Sequence, residues 1–237
     1  LLKKNFKESF LTVGRLDAEY YQKKYEDYVA QIKKYRKGFK HIADVLVCPI
    51  KNGTTPDSVT EGYKTKEHYF VRVEAFQQNL TIDETFFHSL NNEDFIRYKS
   101  NLVVKNDILV SMTGTIGAVS IYSPSKPALI NQNIMRLRAD TSVINVETLA
   151  LYIKSIGKIL LERVQTGNVQ PYVNVSNFET LIVPIIDANH QKKIASIIQE
   201  SFRLKLESER LLVVAKQAVV IAIEEGENKA LKFLNKK

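Results

Sequence analysis

The sequence predicts an α+β protein, in which a mixed, β-rich domain is followed by a long C-terminal helix of coiled-coil type. Short apolar runs separated by turn residues fill the middle of the chain, which is typical of strands. After residue 187 there is no proline, Gly226 is the only glycine, and helix-forming residues are dense. We therefore expect a linker helix over 1–40, a β-rich domain over 41–186 and a long helix over 187–237.

The linker region is predicted to form a polar, tyrosine-rich helix from Asp17 to about Tyr35. Asp17 is a suitable N-cap, since its carboxylate can accept hydrogen bonds from free amides of the first turn. Lysine and arginine residues crowd the C-terminal end, where positive charge suits the helix dipole. Gly38 then ends the helix.

Five strands are predicted in the β-rich domain before residue 138, separated by glycine, proline and asparagine turns. They are Ile42 to Ile50, Tyr69 to Val73, Ile108 to Met112, Ala118 to Tyr122 and Ile134 to Leu137. A short helix is expected near Asp83 to Leu90.

The rest of the domain is predicted to contain two helices and a last strand. Apolar residues recur at helical spacing from Val146 to about Val164. The stretch Ser176 to Glu179 has the spacing of a capping box, which predicts a short helix. Leu181 to Ile186 is predicted to be a strand, and Pro184 favours an edge position because proline cannot donate a hydrogen bond.

The long helix carries a seam of apolar and small residues at alternating spacings of three and four. The predicted seam consists of Ile194, Ile197, Leu204, Leu211, Ala215 and Ala218. Ser201 and Ser208 lie in the same stripe, so the seam is too weak to be stable alone. We expect a partner helix; the alternative is that the helix folds back on its own domain.

Composition narrows the function classes. Lysine and arginine exceed aspartate and glutamate by 34 to 26, which gives a formal charge of +8 and suits a polyanionic partner. Cys48 is the only cysteine, so an internal disulfide and a four-cysteine zinc site are excluded. Its apolar neighbours favour a buried strand position.

No run approaches the roughly 20 apolar residues of a membrane span, and a cytoplasmic location fits best. The chain starts without an initiator methionine, which suggests a piece of something longer.

Catalytic motifs are not found. There is no Asn-Pro-Pro-Tyr or Asp-Pro-Pro-Tyr stretch, no glycine-rich loop placed to hold a methyl donor, and no Walker-type loop. Pro56-Asp57 is not followed by a nuclease motif and is interpreted as a turn. The four histidines lack the spacing of metal ligands. We therefore expect a non-catalytic chain without a cofactor or a metal.

Three polar loops are candidates for binding. They are Ser111 to Gly117, Asn131 to Asn133 and Gln165 to Gln170. Hydroxyl groups can bond phosphate oxygens, and side-chain amides can pair bidentately with adenine. The alternative for each loop, a hairpin turn or a buried anchor, has equal weight. Basic residues spread through the same region could line a positive groove, although each alone is best interpreted as a solvated charge. These are Lys64, Lys66, Arg72, Arg97, Lys99, Lys105, Lys126, Arg136 and Arg138.

The order of short motifs along the chain resembles a known family. The motifs are Gly53-Thr54-Thr55-Pro56, Tyr69 to Val73 with Arg72, Asp107 to Gly117, Asn131 to Ile134, Gly167 to Gln170, Val183 to Ile186, and Gln191 to Ile194. Together they resemble the target-recognition domains of type I restriction-modification specificity subunits. Ile186 stands near the place of the family's second proline, and His190 replaces a frequent glutamate.

The resemblance implies a complete subunit with two recognition domains, held apart by two long antiparallel helices. Each domain would read half of a split double-stranded DNA site. The helices would dock methyltransferase subunits and, through them, a restriction subunit. This chain carries one such domain and one such helix, so two copies could pair through 187–237. Gly14 to Tyr21 resembles the family's linker helix and also the junction in fused restriction-methyltransferases, so a fused enzyme remains an alternative, as does a coiled-coil protein-interaction scaffold.

The resulting hypothesis is a sequence-specific DNA-binding module that directs adenine methylation and cleavage by partner subunits. The candidate DNA-binding residues are Thr54, Lys64, Lys66, Arg72, Lys99, Ser111, Thr113, Thr115, Gln132, Asn133, Asn168 and Gln170. Among the amides, Gln170 is favoured as a base reader and Asn131 as an internal anchor.

Overall fold

The structure is a computed structural model that describes residues 5–60, 68–167 and 171–235. In this part of the chain, nine short strands form three small sheets. Two compact units make up the chain, Leu1–Ala195 and Ser196–Lys237, and each is described by itself. All nine strands belong to the first unit. The chain is thus a mixed α+β protein with a long C-terminal helix, as predicted.

The largest sheet has four antiparallel strands in the order β2-β8-β5-β6. These strands are β2 (Lys51–Asn52), β5 (Ile108–Ser111), β6 (Val119–Ile121) and β8 (Ile134–Leu137). Every residue of β5, β6 and β8 is buried, including Ser111, Ser120 and Arg136, so both faces of these strands are covered. The sequence predicted β5, β6 and β8 to within a residue or so of their ends.

Two smaller sheets complete the first unit. In one, β3 (His68–Val71) pairs antiparallel with β4 (His88–Leu90) and parallel with β7 (Ala128–Ile130). In the other, β1 (Phe39–His41) pairs with β9 (Ile182–Pro184). Because this last sheet has two strands, Pro184 lies in an edge strand, as its missing N–H predicted.

Side chains from the three-stranded sheet and the four-stranded sheet meet in one core. Val71, Phe87, Leu109, Tyr122 and Ile134 are each at most 1% exposed within one apolar cluster. The Tyr122 hydroxyl donates to the carbonyl oxygen of Lys126 at 2.6 Å, so the ring is buried without an unpaired polar group. The shared core fixes the two sheets against each other.

The helices are mostly short except at the C-terminus. They are α1 (Phe10–Val13), α2 (Lys23–Lys33), α3 (Asn92–Arg97), α4 (Val146–Tyr152), α5 (Lys158–Val164), α6 (Val175–Glu179), α7 (Ala188–Glu225) and α8 (Glu227–Leu234). A π-helical turn, Ile153–Gly157, joins α4 to α5, so the predicted helix from Val146 to Val164 is continuous but locally widened. None of the helices in the described part of the chain combines the length and the apolarity that crossing a bilayer requires.

Several local predictions were wrong in type. The predicted strand over 42–50 begins as a 3₁₀ turn, Ile42–Val45. Ile42 and Val45 are both buried, and their separation of three residues is one turn of a 3₁₀-helix. The region predicted as a helix near 83–90 contains the 3₁₀ turn Glu84–Phe86 followed by β4. The short helix predicted over Ser176 to Glu179 is present as α6, but its cap differs: Asn174, two residues before Ser176, accepts from the Asn177 N–H at 2.7 Å.

The predicted N-terminal helix is divided. Asp17 does act as an N-cap, accepting from the Tyr20 N–H, but the helix that it starts is the 3₁₀ turn Ala18–Tyr21. The α-helix begins afterwards and ends at Lys33. Tyr21 and Tyr25 are buried and so anchor this segment to the first unit.

The second unit holds most of α7 and all of α8. Gly226 separates the two helices with φ +95°, a value outside the helical range, so the predicted single helix to the C-terminus is in fact two. Ile197, Leu204 and Leu211 of the predicted seam are at least half exposed, and Ala215 is also exposed. Ala218 is 6% exposed within this unit, and Ile194 is half-buried within the first unit.

Candidate nucleic-acid interface

Four strand ends of the largest sheet meet at one edge. Ser111, the last residue of β5, pairs with Ile134, the first residue of β8. Val119, the first residue of β6, and Asn52, the last residue of β2, lie one register step inward from this pair, opposite Val110 and Met135 respectively. Three loops therefore leave the sheet on the same side, and we call residues 53–56, 112–118 and 131–133 the loop edge.

Backbone hydrogen bonds hold these loops and a fourth together. The Met112 N–H donates to the carbonyl oxygen of Asn133 at 2.8 Å, and the Val173 N–H donates to that of Met112 at 3.0 Å. Tyr172, in the loop after α5, pairs with both Thr113 and Thr166. The described ends of the loop over 165–173 consequently lie beside the loop edge.

Gly53 is required where two loops approach closely. A Cβ atom at this position would lie 2.0 Å from the carbonyl oxygen of Ile130 and 2.3 Å from that of Asn131. The next residue, Thr54, donates its N–H to the same Ile130 oxygen at 2.9 Å. The glycine of the Gly-Thr-Thr-Pro motif thus brings the hydroxyl-bearing loop against the amide-bearing loop.

The loop between β5 and β6 presents fewer hydroxyls than the sequence suggested. The Ser111 side chain is buried and donates to the carbonyl oxygen of Thr113 at 2.8 Å, so it shapes the turn and is not available to a ligand. Gly114 and Gly117 have φ values of +67° and +70°, which glycine adopts without strain. Thr113 is half-buried, and Thr115 is exposed.

The amide side chains of the loop edge differ in their surroundings. Gln132 is exposed, and its side-chain oxygen accepts a hydrogen bond from the Thr55 hydroxyl. Asn133 is half-buried, whereas the Oδ1 atom of Asn131 is buried without a hydrogen-bond partner. Thr54, also half-buried, receives a weak hydrogen bond of 3.5 Å from Asn101. Gln132 is therefore the amide best placed to meet a ligand.

Two candidate basic residues lie close to this edge. Arg72 directly follows Val71, the last residue of β3, and the carbonyl oxygen of Val71 accepts from the Asn131 N–H at 3.2 Å. The guanidinium carbon of Arg72 is 5.9 Å from the centre of the Phe70 ring. Lys99 is exposed in the 3₁₀ turn Lys99–Asn101, whose last residue contacts Thr54. Four other candidates, Lys64, Lys66, Asn168 and Gln170, lie outside the described residues.

Other arginines of the region have structural roles. Arg138 forms an ion pair of 2.7 Å with the buried Asp107, and this hydrogen bond raises the pKa of the Arg138 guanidinium. Arg136 is buried and donates to the carbonyl oxygen of Leu102 at 3.1 Å and to the Cys48 sulfur at 3.6 Å. Cys48 is half-buried and lies outside the strands, which corrects its predicted place. Both guanidinium groups are therefore held by partners within the protein.

One basic residue next to the loop edge was not among the candidates. Lys158, the first residue of α5, packs so closely on the β5–β6 loop that its Cγ atom would lie 3.1 Å from a Cβ atom at Gly117. Its spacing of four from Lys154 on the polar side of a predicted helix was the signal that could have identified it. The described residues contain no cluster of three or more histidine, cysteine, aspartate or glutamate side chains suited to a metal.

Comparisons with known proteins show which family this chain is similar to. Residues 38–215 match the type I restriction modification DNA specificity domain. This chain is similar to a chain of a solved structure that describes the complex assembly and conformational transition of the type I R-M system, with 13% sequence identity and a TM-score of 0.51. The match covers 90% of this chain, which spans about half (52%) of that one.

Two further structures are similar at a lower level, each with a TM-score of 0.47. The S subunit from M. genitalium is 15% identical over 79% of this chain and 43% of its own, and the HsdS subunit from Thermoanaerobacter tengcongensis is 13% identical over 87% and 48%. The search of curated proteins found no match. Since the family match covers most of the sequence, the chain belongs to the type I restriction modification DNA specificity domains, a non-catalytic class.

Proposed function

We propose that this chain reads the sequence of double-stranded DNA through its loop edge and directs methylation and cleavage by partner subunits. The observation that supports the proposal best is the convergence of four strand ends, which brings polar loops from distant parts of the sequence to one edge of a rigid sheet. Loops held on a rigid scaffold can present several hydrogen-bonding groups to a duplex at fixed spacing.

Different residues of the edge would do different work on DNA. The exposed amide of Gln132 offers a donor and an acceptor, the pair that matches an adenine edge in the major groove. Lys99 and Arg72 offer positive charge toward phosphates, which positions the duplex without selecting bases. The exposed hydroxyl of Thr115 can donate to a phosphate oxygen.

Duplex binding tests the proposal directly. A library of random duplexes should become enriched in one half-site after rounds of selection on the purified chain. Binding should weaken steeply with salt, because each phosphate contact releases counterions. A chain that binds duplexes no better than a neutral protein, or without any selected sequence, would contradict DNA reading and favour the protein-interaction scaffold.

Catalysis would require the partner subunits. The purified chain should transfer no methyl group from S-adenosylmethionine to DNA. Methylation of adenines within the selected sequence should begin when the methyltransferase subunits of the same system are added. Methyl transfer by the chain alone would contradict this division of labour, and an Asn-Pro-Pro-Tyr motif upstream in the same reading frame would favour the fused enzyme.

We also propose that two copies pair through α7. Ile197, Leu204 and Leu211 recur every seven residues on one side of the helix, and each is 50–60% exposed. Seven-residue spacing of exposed apolar side chains is the pattern by which helices pair in coiled coils. Ala218 is already buried, so the seam available to a partner comprises the part before it.

A further inference from the structure

Lys154 and Lys158 lie one turn apart at the junction of the π-helical turn with α5. Both are half-buried, and their charges are close enough to act on one another. The stem of Lys158 rests on Gly117, where a Cβ atom would lie 3.2 Å from the lysine Cβ and 3.1 Å from its Cγ. Lys158 is therefore beside the loop that carries Thr113 and Thr115, and Lys154 lies one turn before it in the chain.

Neither lysine has an acidic partner among the residues that the structure describes. Two other half-buried cations of the same unit do have acidic partners: Arg163 contacts Glu26 at 2.6 Å, and Arg15 contacts Asp17 at 2.7 Å. Glu162, one turn after Lys158, contacts Lys24 at 3.5 Å.

Two like charges four residues apart destabilise a helix, and burial adds to the cost. Burial, and then the neighbouring charge of Lys158, hold the pKa of Lys154 below its ordinary value. An anion placed between the two ammonium groups would screen their repulsion and offset part of the cost of burial. The pair is thus better suited to a bound anion than to the free chain.

We infer that Lys154 and Lys158 bind a backbone phosphate of the DNA duplex, next to the bases that the loop edge reads. This inference rests on the proposed function and adds a site that is independent of base sequence. The absence of a side chain at Gly117 leaves room for the Cβ and Cγ atoms of Lys158 against the loop, which holds the base of this side chain beside Thr115. The exposed Thr115 hydroxyl can donate to the same phosphate.

The test is a salt titration of duplex binding by Lys154→Gln, Lys158→Gln and the double variant. Each single change should lower the affinity for selected and random duplexes alike, by about tenfold at low salt, and should flatten the slope of log K against log salt by about one unit. The double variant should flatten it by no more than about the same one unit, because both lysines contact the same phosphate. Lys105→Gln is the matched control and should keep the wild-type slope. Lys105 is in the basic set named from the sequence, but it is exposed and precedes β5 at the opposite end of the strand from the loop edge, so the structure places it away from the proposed contact.

Two further measurements keep the inference separable from a folding defect and from the proposed function. Lys158→Arg should retain the wild-type slope, and the melting temperatures of the glutamine variants should not fall, because the two charges repel in the free chain. Equal slopes for the wild type and the double variant would overturn the inference while leaving DNA reading intact. Failure of the wild type to bind any duplex would instead overturn the proposed function. A drop in melting temperature equal for arginine and glutamine at 158 would make its role structural.

Discussion

At the scale of single residues, the loop edge depends on Gly53. Alanine at this position would place a methyl group 2.0 Å from one carbonyl oxygen and 2.3 Å from another. Both obstacles are backbone atoms of the neighbouring loop, so relief would require the loops to separate and the Thr54–Ile130 hydrogen bond to break. We expect Gly53→Ala to lower the free energy of unfolding by about 3 kcal/mol, measured by urea denaturation.

Gly14→Ala provides a control with a different cause. Gly14 has φ +76° but open space around it, so alanine would cost only the left-handed backbone, about 1 kcal/mol. Equal losses for the two variants would show that the close approach at Gly53 is relieved easily. The contact with Ile130 and Asn131 would then no longer explain the glycine of the Gly-Thr-Thr-Pro motif.

Gln132 tests base reading by a single side chain. Its amide is exposed, and its oxygen accepts a hydrogen bond from Thr55, itself an exposed residue, so Gln132→Ala should leave the melting temperature unchanged. If the amide reads a base, the variant should lose about 1–3 kcal/mol of binding to the selected duplex and little to random duplexes. Parallel anisotropy titrations on both duplexes measure the difference.

The opposite pattern would assign Gln132 to the scaffold. A lower melting temperature, together with equal losses on selected and random DNA, would mean that the Thr55–Gln132 contact orders the loop. Asn131→Ala is the useful comparison, since Asn131 has a buried Oδ1 atom without a partner. Removing that atom should not destabilise the fold through a lost hydrogen bond.

At the scale of elements, the first turn of α7 is fastened by one buried glutamine. The Gln191 side chain accepts from the Asn145 N–H at 2.8 Å and donates to the carbonyl oxygens of Val143 and Ile186 at 3.0 and 2.9 Å. Gln191→Ala would leave buried polar groups unpaired, so we expect a loss of about 3 kcal/mol in the free energy of unfolding. Gln78→Ala, at an exposed glutamine, should change it by less than about 0.5 kcal/mol.

Chemical denaturation of both variants measures this difference. A loss at Gln191 no greater than at Gln78 would mean that water replaces the missing amide, and that the glutamine is not what fastens the helix. The Gln-x-x-Ile motif, which marked the helix start in the sequence, would then need another explanation.

Sequence patterns predicted the elements whose hydrogen bonds and burial follow a simple period. Strands β5, β6 and β8 were found because each is a run of β-branched and apolar residues beside turn residues. Strand β7 was missed because it follows Pro127 and is only three residues long, so its burial gives no alternation. The run from Ile42 was misread because buried residues three apart fit both a strand that bends and a 3₁₀ turn.

The candidate site was predicted in part for a related reason. Sequence order placed the glycine, hydroxyl and amide motifs in turns between strands, and the sheet register brings three of those turns together. Sequence could not tell a buried hydroxyl from an exposed one, so Ser111 was included although it bonds to Thr113. The Lys154 and Lys158 pair was missed as a proposed phosphate site. That proposal depends on the lack of an ion-paired carboxylate among the described residues, which only the folded chain reveals.

At the scale of the whole molecule, self-association would give a dimer with two recognition domains. A twofold pair presents the same loops in opposite orientation, which favours a split palindrome in duplex selection. Enrichment of an inverted repeat with a constant spacer would support this arrangement. Enrichment of a lone half-site by a chain that sediments as a dimer would contradict it.

The helix seam can be tested without touching the loop edge. Replacing Leu204 and Leu211 with glutamate puts four carboxylates into the seam of a pair, so the variant should sediment as a monomer at tens of micromolar, roughly the range expected of a weak interface. Leu206→Glu with Val213→Glu is the matched control. These two residues are 67% and 55% exposed and lie on the opposite side of the helix, so this variant should remain dimeric.

Leu204 with Leu211, and Leu206 with Val213, are both pairs of exposed apolar residues seven positions apart. The two variants therefore add the same charge and differ only in the face of the helix that carries it. Near-identical circular dichroism spectra would show that the first unit stays folded in each. Dissociation by the Leu206 and Val213 changes alone would place the partner on the other face of α7. A wild-type chain that is monomeric at tens of micromolar, roughly the range of a weak interface, would contradict pairing through either face. The seam would then serve a different partner helix, such as one from a methyltransferase subunit.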